Sequence, residues 1–147
     1  MSINLAPGVG RSYNLMTISR TTGQVTVYRR YDVFGNTPQL GALEANELAD
    51  QLNTFDDSVI VIIFTYDEPE RNSSILIAAL QRCGASLDYN SRLKARSAYI
   101  LVGIPGIVTG ITLEERYEGD ATSGGDPDAW IDLRISVING QYTYISG

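Results

Sequence analysis

The chain has no histidine, and Cys83 is its single cysteine among 147 residues. Without an imidazole base there is no Ser-His-Asp or Cys-His nucleophile, and the commonest zinc ligand is missing too. One cysteine excludes an internal disulfide framework and any multi-cysteine metal site. Basic residues are also scarce: 11 Lys and Arg against 17 Asp and Glu give a formal net charge of -6 and a pI near 4.5. Binding along a phosphate backbone needs a basic stripe that displaces counterions, so nucleic acid is not an expected partner. No apolar run approaches the roughly 20 residues that cross a bilayer as a helix, so membrane insertion is not expected. Residues Met1 to Gly8 show neither a basic segment nor a long apolar one, so no secretory signal is legible and folding in a cytoplasm is the expectation.

What is present fits one compact domain over residues 1–147, with 44% hydrophobic and 19% charged residues. Two apolar runs stand out, Val59 to Tyr66 followed by Asp67-Glu68, and Ser97 to Gly103 preceded by Arg96. Each places charge beside the end of a buried strand, an arrangement better suited to holding a polar ligand than to catalysis. The first run is too short and too β-branched for a helix and too uniformly apolar for a half-exposed strand, so it reads as central and covered on both faces. Ser12 to Ser19 and Gln24 to Tyr31 alternate around Arg20-Thr21-Thr22-Gly23 and predict a hairpin. Leu40, Leu43, Ala45, Leu48, Ala49 and Leu52 recur at helical spacing and predict an amphipathic helix. A second helix is expected from Glu70 to Cys83, with Asp67 as N-cap, Pro69 in its first turn and a stop at Gly84. Residues 120–128 read as a loop. Beyond it, Ile131, Leu133, Ile135 and Val137 alternate with polar residues, and Asn139-Gly140 supplies a type I′ turn into Gln141 to Ser146. The fold class is α+β: β-rich, with antiparallel strands, two or three covering helices and a C-terminal hairpin over 129–147.

Several stretches in register carry a family resemblance: Asn14 to Ile18, Thr22-Gly23-Gln24-Val25, Tyr31-Asp32, Leu48 to Asn53, Thr65-Tyr66-Asp67-Glu68 and Arg96-Ser97-Ala98-Tyr99 to Ile107. Over roughly Gly10 to Gly119 the chain resembles the ILEI/PANDER-like (interleukin-like EMT inducer) domain. That domain is known from secreted cytokine-like proteins, from the carbohydrate-binding stem of a glycosyltransferase, and from phage tail and fibre proteins. The resemblance implies a compact β-rich fold without an enzyme active site or cofactor. This chain lacks the paired cysteines of the secreted members and has Pro105 where those tend to carry lysine. The phage branch is therefore expected: a virion structural, decoration or tail-fibre-associated protein, made in the host cytoplasm and contacting other virion proteins or copies of itself. The alternative is a free-standing lectin-like module for host surface glycans. The resemblance maps the sugar site of the glycosyltransferase stem onto Arg29, Asp67 and Arg96.

Each candidate has a structural reading beside the functional one. Asp67 can cap a helix or accept from a sugar hydroxyl, since a carboxylate has several acceptor sites. Arg96 can grip a ligand oxygen or pair internally with Asp67, and Arg29 beside Arg30 is an ordinary exposed strand residue. The nine tyrosines, Tyr66 among them, offer flat amphipathic faces, yet strands favour tyrosine in any case. Trp130, Tyr142 and Tyr144 on the last hairpin are the candidate partner-facing residues. Of the carboxylate pairs Asp56 and Asp57, Glu68 and Glu70, and Glu114 and Glu115, none is placed across a cleft as a glycosidase dyad would be, and Glu114 and Glu115 would face opposite ways on a strand. Asp120, Asp126 and Asp128 lack the EF-hand spacing for calcium.

Overall fold

The structure is a computed structural model that describes residues 10–108, 112–119, 129 and 134–145. Trp130, the 120–128 loop with its three aspartates, and 131–133 lie outside the described residues.

The element order is β1 (Ser12–Ser19), β2 (Val25–Tyr31), α1 (Pro38–Asn53), β3 (Val59–Tyr66), a 3₁₀ turn (Ser73–Leu76), α2 (Ile77–Arg82), α3 (Tyr89–Arg92), β4 (Ala98–Gly103), β5 (Glu114–Glu118), β6 (Arg134–Ile138) and β7 (Gln141–Ile145). β1 to β5 form one antiparallel sheet in the order β2-β1-β3-β4-β5, and β6-β7 form a separate hairpin. β3 is therefore the middle strand, as its continuous apolar run requires. Its side chains feed two clusters by alternation. Val61 and Ile63 join Tyr13, Leu15, Tyr31, Tyr99 and Leu101 under the helices, against Ala45, Leu48 and Leu52 of α1 and Ala79 and Leu80 of α2. Ile60 and Ile62 join Met16, Ile18 and Val102 on the other face, against Ile135 and Tyr144 of the hairpin.

α1 starts where Thr37 accepts the Leu40 N–H at 3.1 Å and Pro38 fills the first turn, whose N–H needs no partner. Its buried stripe is Gly41, Ala45, Leu48 and Leu52. Leu40 and Leu43, expected on that stripe, are instead 50% and 61% exposed. The cause is Gly41: a Cβ there would lie 2.2 Å from the Val33 carbonyl oxygen, so the helix backbone itself seats against the β2–α1 loop and the two leucines turn outward.

The segment after β3 departs from expectation. Asp67 does not cap a helix: it holds φ 68, and helical structure begins only at Ser73, with no side-chain cap on either the 3₁₀ turn or α2. Pro69, inside that stretch, is buried. The stop at Gly84 is as expected, with Cys83 as C-cap and Gly84 at φ 104. Cys83 is fully buried, and burial pushes its thiol up to about 11.

The C-terminal hairpin turns at Asn139 and Gly140, with φ 52 and 77, as a type I′ turn demands. Of the residues expected to face a partner, Tyr142 through its backbone and Tyr144 through its hydroxyl bond to the domain itself. The Tyr142 N–H donates to the Arg20 carbonyl at 2.7 Å, Arg20 Nε donates back to the Tyr142 carbonyl at 3.1 Å, and the Tyr144 hydroxyl donates to Glu114 at 2.9 Å. Together with Ile135, the Tyr144 ring closes the second apolar cluster. Removing 129–147 should therefore expose Met16, Ile18, Ile60, Ile62 and Val102. Loss of the two covering side chains alone costs about 3 kcal/mol. The truncated chain is expected to melt lower and to self-associate, read by calorimetry and light scattering; an unchanged melting temperature in a monomer contradicts this packing.

Candidate functional site

The charged residues that flank β3 and β4 converge at one end of the sheet. The β1–β3 register pairs Ser12 with Tyr66, which sets Arg11 opposite Asp67. On the other side of β3 the ladder with β4 ends at Phe64 and Ile100. Beyond it the backbones part, and the Thr65 hydroxyl stands between them, accepting from the Tyr99 N–H at 2.9 Å and donating to the Ser97 carbonyl at 3.3 Å. Arg96 lies just past this opening, in a tight turn closed by the Ser97 N–H to the Lys94 carbonyl at 3.0 Å.

Asp67 and Arg96 meet across the gap, Nε to Oδ1, at 3.7 Å, with side chains 37% and 46% exposed. That separation is beyond hydrogen-bond range, and an ion pair this exposed contributes about 0–1 kcal/mol. Both residues hold left-handed backbone, φ 68 and φ 65. Asparagine and aspartate tolerate that region; arginine does so only at a cost of about 1–2 kcal/mol. Backbone held in this region by a residue other than glycine is found repeatedly at binding sites.

Arg11 is held far more firmly. Its Nε and one terminal nitrogen reach the two oxygens of Asp32 at 3.0 and 2.7 Å, a two-point fork that fixes the guanidinium plane. Asp32 also accepts the Gly35 N–H at 3.0 Å. Burial by itself would raise the Asp32 pKa, but the hydrogen bonds from Arg11 and Gly35 outweigh it and hold the carboxyl below its usual range. Arg11 is correspondingly raised, first by its hydrogen bond to Asp32 and also through space by Asp67 and Glu68. Two guanidiniums lie over the Phe34 ring, Arg71 3.6 Å and Arg11 4.8 Å from its centroid.

The 67–72 segment is pinned from below. The Ser12 hydroxyl donates to the Glu68 carbonyl at 2.7 Å and the Tyr13 hydroxyl to the Pro69 carbonyl at 3.0 Å. The Asn72 amide bridges to the carbonyls of Val33 and Pro38 at 2.8 and 3.1 Å. Tyr13 also shares a short hydrogen bond with Tyr89, and the Tyr89 and Tyr99 rings meet at 5.2 Å. Tyr99 and Tyr117 both donate to Glu115 at 2.8 Å. Burial drives the pKa of Tyr13, Tyr89, Tyr99 and Tyr117 upward, so these tyrosines are neutral packing and hydrogen-bonding groups. They form the floor on which the strand-end loops rest.

Of the three residues first singled out, the structure brings Asp67 and Arg96 together and leaves Arg29 aside. Arg29 pairs in register with Leu15, which pairs with Ile63. That offset places it about 13 Å along the strands and about 10 Å across them from Asp67. There it lies 5.1 Å from the centroid of Tyr31. Arg11, by contrast, stands opposite Asp67 at the strand end. Its signal was in the sequence, one residue before the strand that must pair with β3, but only the register makes it visible. Glu114 and Glu115 serve opposite faces, the first with Tyr144 and the second with Tyr99 and Tyr117.

A family model described as interleukin-like EMT inducer matches residues 11–107, about two thirds of the chain. The match takes in Arg11, Asp67 and Arg96 and stops short of β5 and the hairpin. Protein FAM3D of Mus musculus is 30% identical over 96 residues, which is 65% of this chain and 39% of that protein. The chain thus spans well under half the length of the curated relative it matches.

Because the folded-state pKa of Asp32 lies below its unfolded value, its stabilisation is complete above about pH 4 and is lost as pH falls through the folded-state value. Asp32→Asn should cost about 1 kcal/mol at neutral pH, after allowance for solvent screening. The gap from wild type should narrow as pH falls below about 4 in denaturant titrations. A pH-independent gap would show that Asp32 acts through shape and not through its charge.

Proposed function

The chain belongs to the interleukin-like EMT inducer family, and from that premise we propose that it is a non-enzymatic recognition module for a neutral, hydroxyl-rich saccharide, bound at the strand ends that carry Arg11, Asp67 and Arg96. The observation that carries the reading is the pairing of two left-handed residues, Asp67 and Arg96, across a half-exposed gap at the end of a rigid sheet. A fold that needed only the turn would place glycine at position 96. An arginine there keeps a planar set of donors beside a carboxylate acceptor, and vicinal sugar hydroxyls match such a set.

Charge selects the class of saccharide. Arg11, Arg71, Lys94 and Arg96 stand against Asp32, Asp67, Glu68 and Glu70, so these groups carry no positive surplus to draw an anion. Neutral sugars are expected to bind, and sialylated or phosphorylated ones to bind less well.

Incorporation into a phage virion is the second reading. It is supported by Ile138 and Ile145, 53% and 39% exposed on the hairpin face turned away from the sheet, which offer apolar side chains to a neighbouring virion protein or another copy. This reading stands or falls on copurification with particles.

The saccharide reading is tested on an array of neutral and anionic bacterial surface glycans with wild type, Arg11→Ala, Asp67→Asn, Arg96→Ala and Arg29→Ala. Saturable binding to neutral glycans that drops about tenfold or more in the first three variants and persists in Arg29→Ala is the expected result. Absence of binding by wild type, or equal loss in Arg29→Ala, would sink it.

A further inference from the structure

Resting on the saccharide reading, we infer that Tyr66 is the stacking platform of the site: its ring takes the C–H face of a pyranose while Asp67 and Arg96 hold the hydroxyl edge. Tyr66 is the last residue of β3, directly before Asp67 in the chain. It is 61% exposed, and it is the only aromatic side chain among the described residues that is left largely open to solvent.

The openness has a structural cause on both sides of the ring. Towards β1 the residue paired with Tyr66 is Ser12, whose hydroxyl is occupied with Glu68 and Phe34 and which is too small to cover an aromatic face. Towards β4 the ladder has already ended at Phe64 and Ile100, so no registered neighbour stands beside position 66. Further down the strand the same face is closed by the hairpin over Ile60 and Ile62. The sheet thus buries its apolar side chains along this face and leaves a tyrosine uncovered where it meets the strand-end charges.

A pyranose presents hydroxyls at its rim and a patch of axial C–H bonds on one face. The rim needs a carboxylate and planar N–H donors; the patch needs an aromatic face. Tyr66 and Asp67 are consecutive and Asp67 meets Arg96, so the three stand at one end of the sheet, with Asp67 in left-handed backbone just past the strand. Tyr66 would then discriminate among neutral sugars by how many axial C–H bonds they offer, a selection the charged residues cannot make.

The experiment is titration of the full chain with methyl glycosides of glucose, galactose, mannose and N-acetylglucosamine. Wild type, Tyr66→Ala, Tyr66→Phe and Arg96→Ala are followed by calorimetry and by saturation transfer to the sugar protons. Tyr66→Ala should weaken binding about tenfold and abolish preferential transfer to the axial ring protons, while Tyr66→Phe stays within about twofold of wild type. Thermal melts of the variants, expected to match wild type at so exposed a position, separate lost stacking from lost folding. If Tyr66→Ala binds like wild type while Arg96→Ala does not, the platform is refuted and the saccharide site stands. If wild type binds none of the four glycosides, neither does its platform exist, and both readings fall.

Discussion

Everything in this domain depends on burying β3 on both faces. A strand of Val59-Ile60-Val61-Ile62-Ile63-Phe64 cannot lie at a sheet edge or leave one face in water, so it must have a strand on each side and a cover above and below. β1 and β4 supply the flanks, the helices one cover and the C-terminal hairpin the other. The strand-end chemistry follows from the same constraint, because the register that buries β3 also decides which residues emerge beside its last position. Arg11 and Arg96 stand near Asp67 for that reason, although they lie far from it, and from each other, in the chain.

The end of the sheet that carries these charges is held firmly on the side of β1. Arg11 is clamped by Asp32, and the loop after Asp67 is tied down by Ser12, Tyr13 and Asn72. The contact between Asp67 and Arg96 is long and half exposed. Under the proposed reading, walls fixed in advance would keep the cost of binding low, since few side chains would have to be ordered on association.

Strand runs and the hairpin turn were legible in the sequence because their signals are local. The continuous apolar run of β3, the alternation of β1 and β2, and Asn139-Gly140 each fix backbone geometry without help from elsewhere. What escaped was set by tertiary packing. Pro69 after Asp67 reads as the first turn of a helix, yet the chain must first cross the end of β1, and helical structure waits until Ser73. Leu40 and Leu43 have the spacing of a buried stripe, but Gly41 lets the helix backbone approach the β2–α1 loop and rotates them outward. Arg11 carries no local sign of its nearness to Asp67, which only the pairing of Ser12 with Tyr66 reveals. The hairpin tyrosines read as partner-facing because nothing local shows that Glu114 and Arg20 wait for them on the same chain.

The central claim is that one register places a single saccharide site at the end of β3. Amide chemical-shift mapping of the full chain during titration with a neutral methyl glycoside tests it most directly. The account predicts saturable shifts confined to Arg11, Tyr66 to Glu68 and Lys94 to Ser97, with the hairpin and Arg29 silent. Shifts centred on β2 or on the hairpin, or none with any of the neutral glycosides, would contradict it.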